Sequence, residues 1–341
     1  MWSVKAVHPS IVASRTIRAM AFSPCAHHLI IAFAGWNTPA CRAALPALRL
    51  PNLEALLARL TPAERDEQAA DSFSPPHERA LAAALGLAPL DGRIPWAALA
   101  AREAGLSPTS PGHAWALLTL CHWEVGMNDV LFDDPATLAI EAAESDALFK
   151  AVEPLFAGDG ITLHTTARPG HWLAHGPAFE NLVTASIDRA AGQPVGRWVP
   201  INEAKRPLLR LQNEVQMLLY TQRVNDERSA RGAASINSFW LSGAGALPDD
   251  AAPPKVPPRL DTSLREAALR DDGAAWARAW RSLDAGACAE LLAASRRGEP
   301  VRLTLCGDRC ARSFATAPRG LGTWLRGMFH QVQIARVLET L

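Results

Sequence analysis

No apolar run in the 341-residue chain approaches the roughly 20 residues needed to cross a bilayer, and runs such as Leu29–Ala34 are short. No basic flank marks an anchor, so a membrane is excluded as a partner. Residues 1–28 lack the long apolar stretch and small-residue cleavage pattern of a secretory signal. The expectation is a cytoplasmic protein with a poorly ordered leader over 1–28, in which Met20 is a candidate alternative start. Neither charge is in excess: Lys+Arg and Asp+Glu are 34 each, which removes the electrostatic reason to expect nucleic acid and favours a small partner. Lysine is scarce, with Lys5, Lys150, Lys205 and Lys255 against many arginines, a pattern of coding bias that implies no function. A disulfide framework is also missing. Cys25, Cys41, Cys121, Cys288, Cys306 and Cys310 are scattered as reduced thiols would be. Cys306 and Cys310 have no second Cys/His pair to complete a zinc site. No internal repeat is visible.

Hydrophobic residues make up 49% of the chain, enough for a well-buried core. Leu29–Ala34, followed by Gly35 and Asn37-Thr38-Pro39, reads as a buried strand of parallel type. After it, Pro51 and the spacing of Leu53, Leu56, Leu57 and Leu60 predict a helix with one apolar face. A second helix opens at Ser74-Pro75-Pro76-His77 and stops at Gly86, and a Pro/Gly-rich loop continues to Gly112. Strand-like stretches then surround a helix expected over Pro135 to Phe156, with Asp133 and Asp134 at its start. Asp129, Asp133 and Asp134 offer an acidic patch, though Asp at a helix start is commonly a cap. A long helix carries Leu208, Leu211, Val215, Leu218 and Leu219 on its buried side, and the strand Ser238–Leu241 leads into Ser242-Gly243-Ala244-Gly245. A Pro-rich connection, a helix around Trp276 and Trp280, and the strand VRLTLCGD follow. The helical spacing of the two tryptophans points to the core, although exposed they would offer a surface for a protein partner.

This order predicts a doubly wound α/β core interrupted by a smaller inserted α+β domain, divided as 29–112 (core), 113–200 (insert) and 201–341 (core). Function is then expected at the strand carboxyl ends: at Ala34-Gly35, at Ser74 to His77, and at Gly307-Asp308-Arg309. A further candidate is the polar segment 224–245, with Asn225, Arg228, Arg231, Asn237, Gly243 and Gly245. Arginine can clamp phosphate through paired hydrogen bonds, whereas Asn in such a segment is equally at home in turns. His171 and His175 cannot share an ion if GHWLAHG is a strand, because four residues of strand span about 13 Å. His113 and His122 read as packed histidines, with a general-base role open to either.

Segment 224–245 resembles the signature of archaeal-type cofactor-independent phosphoglycerate mutases: an Asn, an Arg, a Gly, a second Asn, and a short strand ending in a Gly-x-Gly loop. In the same order, LIIAFAG with LPNLEALLARL resembles the family's first metal-binding strand and helix. The stretch from His77 to Gly86 resembles the helix after its nucleophilic serine, LLTLCHWEVGMNDVLFDD resembles its inserted domain, and WRSLDAGACAELL with LTLCGD resembles the elements before its Asp-His pair. The resemblance runs from Leu29 to about Ala317 and is nearest to the RpfE-type bacterial regulatory branch. It implies an alkaline-phosphatase-like core and, for the intact family, two divalent metals, typically manganese, held by Asp and His around a phosphorylated serine.

The departures matter more than the matches. Ala34 stands where the family has its first Asp, and Asp308-Arg309 where it has Asp-His. Alanine cannot ligate, and arginine does not surrender its proton to do so. The nucleophile position falls on Ser74 or on His77, and Asp308 alone is carried over as a metal ligand. The expectation is therefore a degenerate homologue, regulatory or ligand-sensing, with no cofactor. A small phosphorylated or anionic ligand, or a protein, would be its partner. The alternative is an active mutase or related phosphotransferase with a rearranged site, using manganese or another divalent metal if the family chemistry survives.

Overall fold

The computed structural model describes residues 27–106, 114–199, 206–248, 251, 254–317 and 333–341. Its strands, in chain order, are β1 (His27–Gly35), β2 (Thr61–Glu67), β3 (Ala114–Cys121), β4 (Trp123–Val125), β5 (Val130–Phe132), β6 (Thr162–Thr165), β7 (His171–Gly176), β8 (Ser238–Gly245), β9 (Arg259–Asp261), β10 (Val301–Gly307) and β11 (Cys310–Ala315). They form a five-stranded sheet of order β2-β11-β10-β1-β9, a four-stranded sheet of order β6-β7-β3-β8, and the β4-β5 hairpin.

In the first sheet β1 runs parallel to β10 and β9, with Leu29 opposite Leu303 and Arg259. Burial from Leu29 to Gly35 is continuous, as expected of a strand covered on both faces. On one face the helices Pro51–Leu57, Gly273–Leu283 and Ala289–Arg296 bury Leu53, Leu56, Trp276, Trp280 and Leu292 against Leu29, Ile31 and Leu303. On the other, Ala80, Leu81 and Ala84 of the Pro76–Ala84 helix cover Ile30, Cys306 and Ala311. The second sheet is antiparallel throughout. The helices Ala142–Gly158 and Arg206–Tyr220 pack on one of its faces through Leu148, Val152, Leu211 and Val215. Ala97, Ala98 and Ala101 of the Trp96–Glu103 helix cover Trp115 and Leu173 on the other. Two consecutive helices, 76–84 and 96–103, thus lie against different sheets and carry the chain from one to the other. Among the described residues no helix is long and apolar enough to cross a membrane.

Several expectations are corrected here. The core sheet is not doubly wound throughout: only β9, β1 and β10 are parallel, while β11 folds back on β10 and β2 lies antiparallel outside it. The Gly307-Asp308-Arg309 turn closes a hairpin, which needs no crossover helix. The expected division at residue 200 does not follow the sheets, because β8 pairs with β3. The single helix expected over Pro135 to Phe156 is a short turn, Pro135–Thr137, followed after a break by Ala142–Gly158. There Glu141 and Glu144 form a reciprocal capping box. The stretch read as a loop up to Gly112 contains the Trp96–Glu103 helix. The leader was drawn through residue 28, yet His27 and His28 open β1; residues 1–26 lie outside the described residues. Trp276 and Trp280 are both 0% exposed, so they offer no docking surface.

Candidate functional site

The carboxyl ends of β1 and β10 come first, because the metal chemistry was expected there. In β1 Phe33 takes a positive φ of 57° and the register against β10 shifts between Ile31 and Gly35, a bulge of the kind that re-aims a strand end. The carbonyls freed by it are used: Trp276 Nε1 donates to Phe33 O at 3.0 Å and Trp280 Nε1 to Ala34 O at 3.2 Å. The helix Ile334–Glu339 and residues 340–341 lie across Gly35 and Gly307. A Cβ on Gly35 would stand 2.2 Å from Leu338 O, and one on Gly307 2.5 Å from the Leu341 carbonyl carbon. The Leu341 carbonyl accepts the backbone N–H of Cys310 at 2.9 Å.

Asp308 lies beside this closed surface and is itself engaged. Its Oδ1 accepts from Arg189 Nη1 at 3.2 Å, and Arg189 Nη2 donates to Ser72 Oγ at 3.0 Å. Arg79, equally buried, donates to Asp66 at 2.6 Å and to the Ser74 carbonyl. The two-metal arrangement therefore does not fit these residues. One carboxylate is already neutralised by a guanidinium, the partner position in β1 is alanine, and among the described residues no three His, Cys, Asp or Glu side chains cluster as ligands would.

A different place brings the predicted nucleophile positions together. Between the two sheets lies a cleft of about 300 Å³ that includes Ser74, His77, Glu78, Thr184, Ser186, Asp188, Ser242, Gly243 and Thr262 in its lining, with apolar walls from Leu81, Ile94, Trp96, Leu117, Ile187 and Leu260. Ser74 is fixed before the helix: its N–H donates to Asp91 at 2.8 Å and its hydroxyl accepts from Gly92 N–H at 2.9 Å. Pro76 at the first helical position needs no N–H partner, so the helix starts sharply and presents His77 and Glu78 to the cleft. Glycine is required at 243, where φ is +61° and a Cβ would lie 2.8 Å from Trp96 Cβ.

His77, 4% exposed, donates from Nε2 to Asp188 Oδ2 at 3.0 Å, and its ring lies 5.3 Å from that of Phe33. Asp188 Oδ1 accepts from Arg265 Nε at 2.5 Å, and Arg265 grips Asp134 with both terminal nitrogens at 2.7 and 3.1 Å. Burial alone would raise the Asp188 carboxyl, but the hydrogen bond and charge of His77 together with Arg265 outweigh it and hold the group at about 2. Glu78 accepts from Ser186 Oγ at 2.5 Å and from Trp96 Nε1 at 3.1 Å. Burial pushes its carboxyl upward, and the charge of Asp188 adds to this.

The structure gives the other predicted residues different work. Asn225 bridges Leu219 O and Ile236 O and accepts from Ile236 N–H. Arg228 donates to Glu144, Leu138 O and Ala234 O, and Arg231 adds a second contact to Glu144. Asn237 pairs with both backbone groups of Trp123. Asn225, Arg228 and Arg231 sit on or just past the helix Arg223–Ala230, not on a loop; Asn225 and Arg228 are buried in hydrogen bonds within the second sheet's surroundings, while Arg231 is half-exposed. Gly245 closes against Pro95. Thus Ser74, His77 and Gly243 converge on the cleft, while Asn225, Arg228, Arg231, Asn237 and Asp308 do not. Among the described residues no Lys or Arg lines the cleft. His171 and His175 lie in β7 as read, and His122 bonds Ser235 O at 2.8 Å. Glu78, Ser186, Asp188 and Arg265 escaped the sequence reading because no local motif links them.

Two solved structures align along most of the chain. One is the PH0037 protein from Pyrococcus horikoshii, at 12% identity and a TM-score of 0.44, covering 86% of this chain and 88% of that one. The other is the cofactor-independent phosphoglycerate mutase from Thermoplasma acidophilum DSM 1728, at 13% identity and a TM-score of 0.34, covering 92% and 99%. Neither carries an argument about what this chain does. No protein-family model matches the chain, and no curated protein does.

Proposed function

We propose that this chain is a relative of the cofactor-independent phosphoglycerate mutases, of the RpfE-type branch and with an alkaline-phosphatase-like core, that has lost two-metal catalysis and acts in the cytoplasm as a regulatory, ligand-sensing protein. The observation that carries this reading is the state of Asp308. The one metal ligand that the sequence resemblance supplies is held by Arg189, and Arg189 is held in turn by Ser72. Ala34 and the cover of residues 338–341 over Gly35 and Gly307 support it.

In this reading the ligand enters the inter-sheet cleft. The cleft is suited to sensing because its polar floor ties separate parts of the fold together. Arg265, in the helix that follows β9, grips Asp188 and Asp134, which belong to the segments around the second sheet. A ligand that bonds His77 acts on this junction and so biases the relation of the two sheets.

Metal analysis of the purified protein, with a mutase and phosphatase assay run with and without manganese, tests the reading. The expected result is no stoichiometric metal and no conversion of 3-phosphoglycerate to 2-phosphoglycerate; manganese-dependent turnover would end it. A second reading draws on the His77–Asp188 hydrogen bond: a phosphotransferase in which His77, oriented by Asp188, or Ser74 carries the phosphoryl group. A phosphorylated residue trapped at 74 or 77 would favour that reading over the first.

A further inference from the structure

Two carboxylates border the inter-sheet cleft, and they are kept on different terms. Asp188 has counter-charge at hand: Arg265 Nε donates to one oxygen at 2.5 Å, and His77 Nε2 lies 3.0 Å from the other. Glu78 accepts only from uncharged donors, the Ser186 hydroxyl at 2.5 Å and the Trp96 indole at 3.1 Å. Among the described residues no Lys or Arg lines the cleft to serve it. Glu78 stands in the first turn of the helix Pro76–Ala84, whose start supplies roughly half a positive charge. A carboxylate is balanced by a whole one.

The Glu78 carboxylate also has capacity left. Each carboxylate oxygen carries about two acceptor sites, and one donor is bonded to each oxygen of Glu78. Both donors, Ser186 and Trp96, line the same cavity of about 300 Å³ as Glu78 itself, so the carboxylate belongs to its wall. Burial raises the Glu78 carboxyl, and a cation set against it favours the charged form again. A metal ion is a poor fit, because among the described residues no three His, Cys, Asp or Glu side chains gather as ligands. The rest of the wall is carbon and hydroxyl, with Leu81, Ile94 and Leu260 beside Ser242 and Thr262. Such a cavity suits a charged head on a short hydrocarbon body.

We propose that the cleft between the sheets binds a small organic amine in its ammonium form, with the ammonium group hydrogen-bonded to the Glu78 carboxylate and the hydrocarbon part against Leu81, Ile94 and Leu260. A primary ammonium brings three donors, one or two for Glu78 and the rest for the hydroxyls beside it. The proposal rests on the cleft being the ligand site of the reading above and names the class of ligand it takes.

The test is ligand-observed NMR and isothermal titration of the full chain at about 0.15 M salt, where exposed charge pairs are screened. The amine probes are n-butylamine and phenethylamine, each set against its own alcohol, n-butanol or phenethyl alcohol, with butyrate, 3-phosphoglycerate and inorganic phosphate as anions. At least one amine should bind, about tenfold or more tighter than its alcohol, and the anions should not bind. Glu78→Gln keeps the side-chain size and an acceptor for Ser186 and Trp96; it should weaken amine binding about tenfold or more, the loss of a charge-assisted hydrogen bond. Thr262→Trp, at an exposed position on the cleft lining, should abolish binding while leaving the unliganded melting temperature in place. The second variant and the amine–alcohol comparison on the parent chain keep the test decisive if the first variant folds poorly. Binding of no amine, an alcohol bound as tightly as its amine, an anion bound in place of the amines, or amine binding unaffected by a folded Glu78→Gln or by Thr262→Trp would overturn the proposal. Loss of two-metal catalysis would stand after any of these outcomes; manganese-dependent turnover would sink that reading instead.

Discussion

The carboxyl ends of β1 and β10 and the inter-sheet cleft meet at Phe33 and His77, whose rings are 5.3 Å apart, but they are built on opposite terms. At the strand ends the backbone is used up: the bulge carbonyls go to two indoles, two glycines are covered by residues 338–341, and the one acidic side chain is paired with an arginine. In the cleft Asp188 is paired with His77 and Arg265, yet Ser242 and Thr262 line open volume. Strand ends in an open α/β sheet are where chemistry is ordinarily grafted. Here that position has become core, and the open position lies one helix away.

The comparison breaks most visibly through the indoles. Trp280→Ala should cost about 3–5 kcal/mol, since it deletes a fully buried side chain and leaves the Ala34 carbonyl without its donor. A urea-unfolding midpoint close to the parent's would mean that the strand ends are not the packed region described. Next, Arg265→Ala leaves Asp188 and Asp134 without their shared cation and should cost about 3 kcal/mol. Its secondary effect, weaker ligand binding in the cleft, separates it from a purely structural lesion.

Acid unfolding gives a further check. The Asp188 carboxyl sits at about 2 in the folded chain, below its ordinary 3.8. Its contribution of about 2 kcal/mol is therefore present above pH 4 and lost as pH falls toward 2. Asp188→Asn should flatten the stability curve across that window, and an unchanged acid limb would contradict the pairing with His77 and Arg265. Asn225→Ala should cost about 1–3 kcal/mol by orphaning Ile236 N–H and two carbonyls, with no change in ligand affinity. A large affinity loss would return that segment to the binding site. Thr262→Ala, exposed and with no side-chain hydrogen bond among the described residues, should stay within about 0.5 kcal/mol and alter only ligand binding.

Elements with a strong burial signature were legible from the chain alone. β1 holds the continuous apolar run Leu29–Ala34, β10 sets Val301, Leu303 and Leu305 at alternate positions, the helix after Pro51 shows its leucine spacing, and the Pro75-Pro76 start of the next helix is a stereochemical marker. What could not be read lacks such a signature. β2 is TPAERDE, exposed along nearly its whole length, so neither alternation nor an apolar run announces it. The Trp96–Glu103 helix is half alanine and flanked by Pro and Gly, which reads as loop. The site divides in the same way. Ser74 and His77 could be named from their place at a helix start, whereas Asp188 and Arg265 join His77 across more than a hundred and then more than seventy further residues, a relation that only folding creates. Asn225 and Arg228 were visible as polar residues in an ordered pattern, but an ordered polar pattern serves internal hydrogen bonding as readily as it serves a ligand.

The polar character that hid β2 from view also governs how the molecule meets its own copies. Thr61–Glu67 forms one flank of the five-stranded sheet, and a bare flank invites a neighbouring chain to extend the ladder. Glu64, Asp66 and Glu67 are tied to Arg302, Arg79 and Arg65, so an approaching strand would have to strip water from charges already committed elsewhere. The flank therefore works as a barrier to self-association, set by the same residues that keep Arg79 and Arg302 in place.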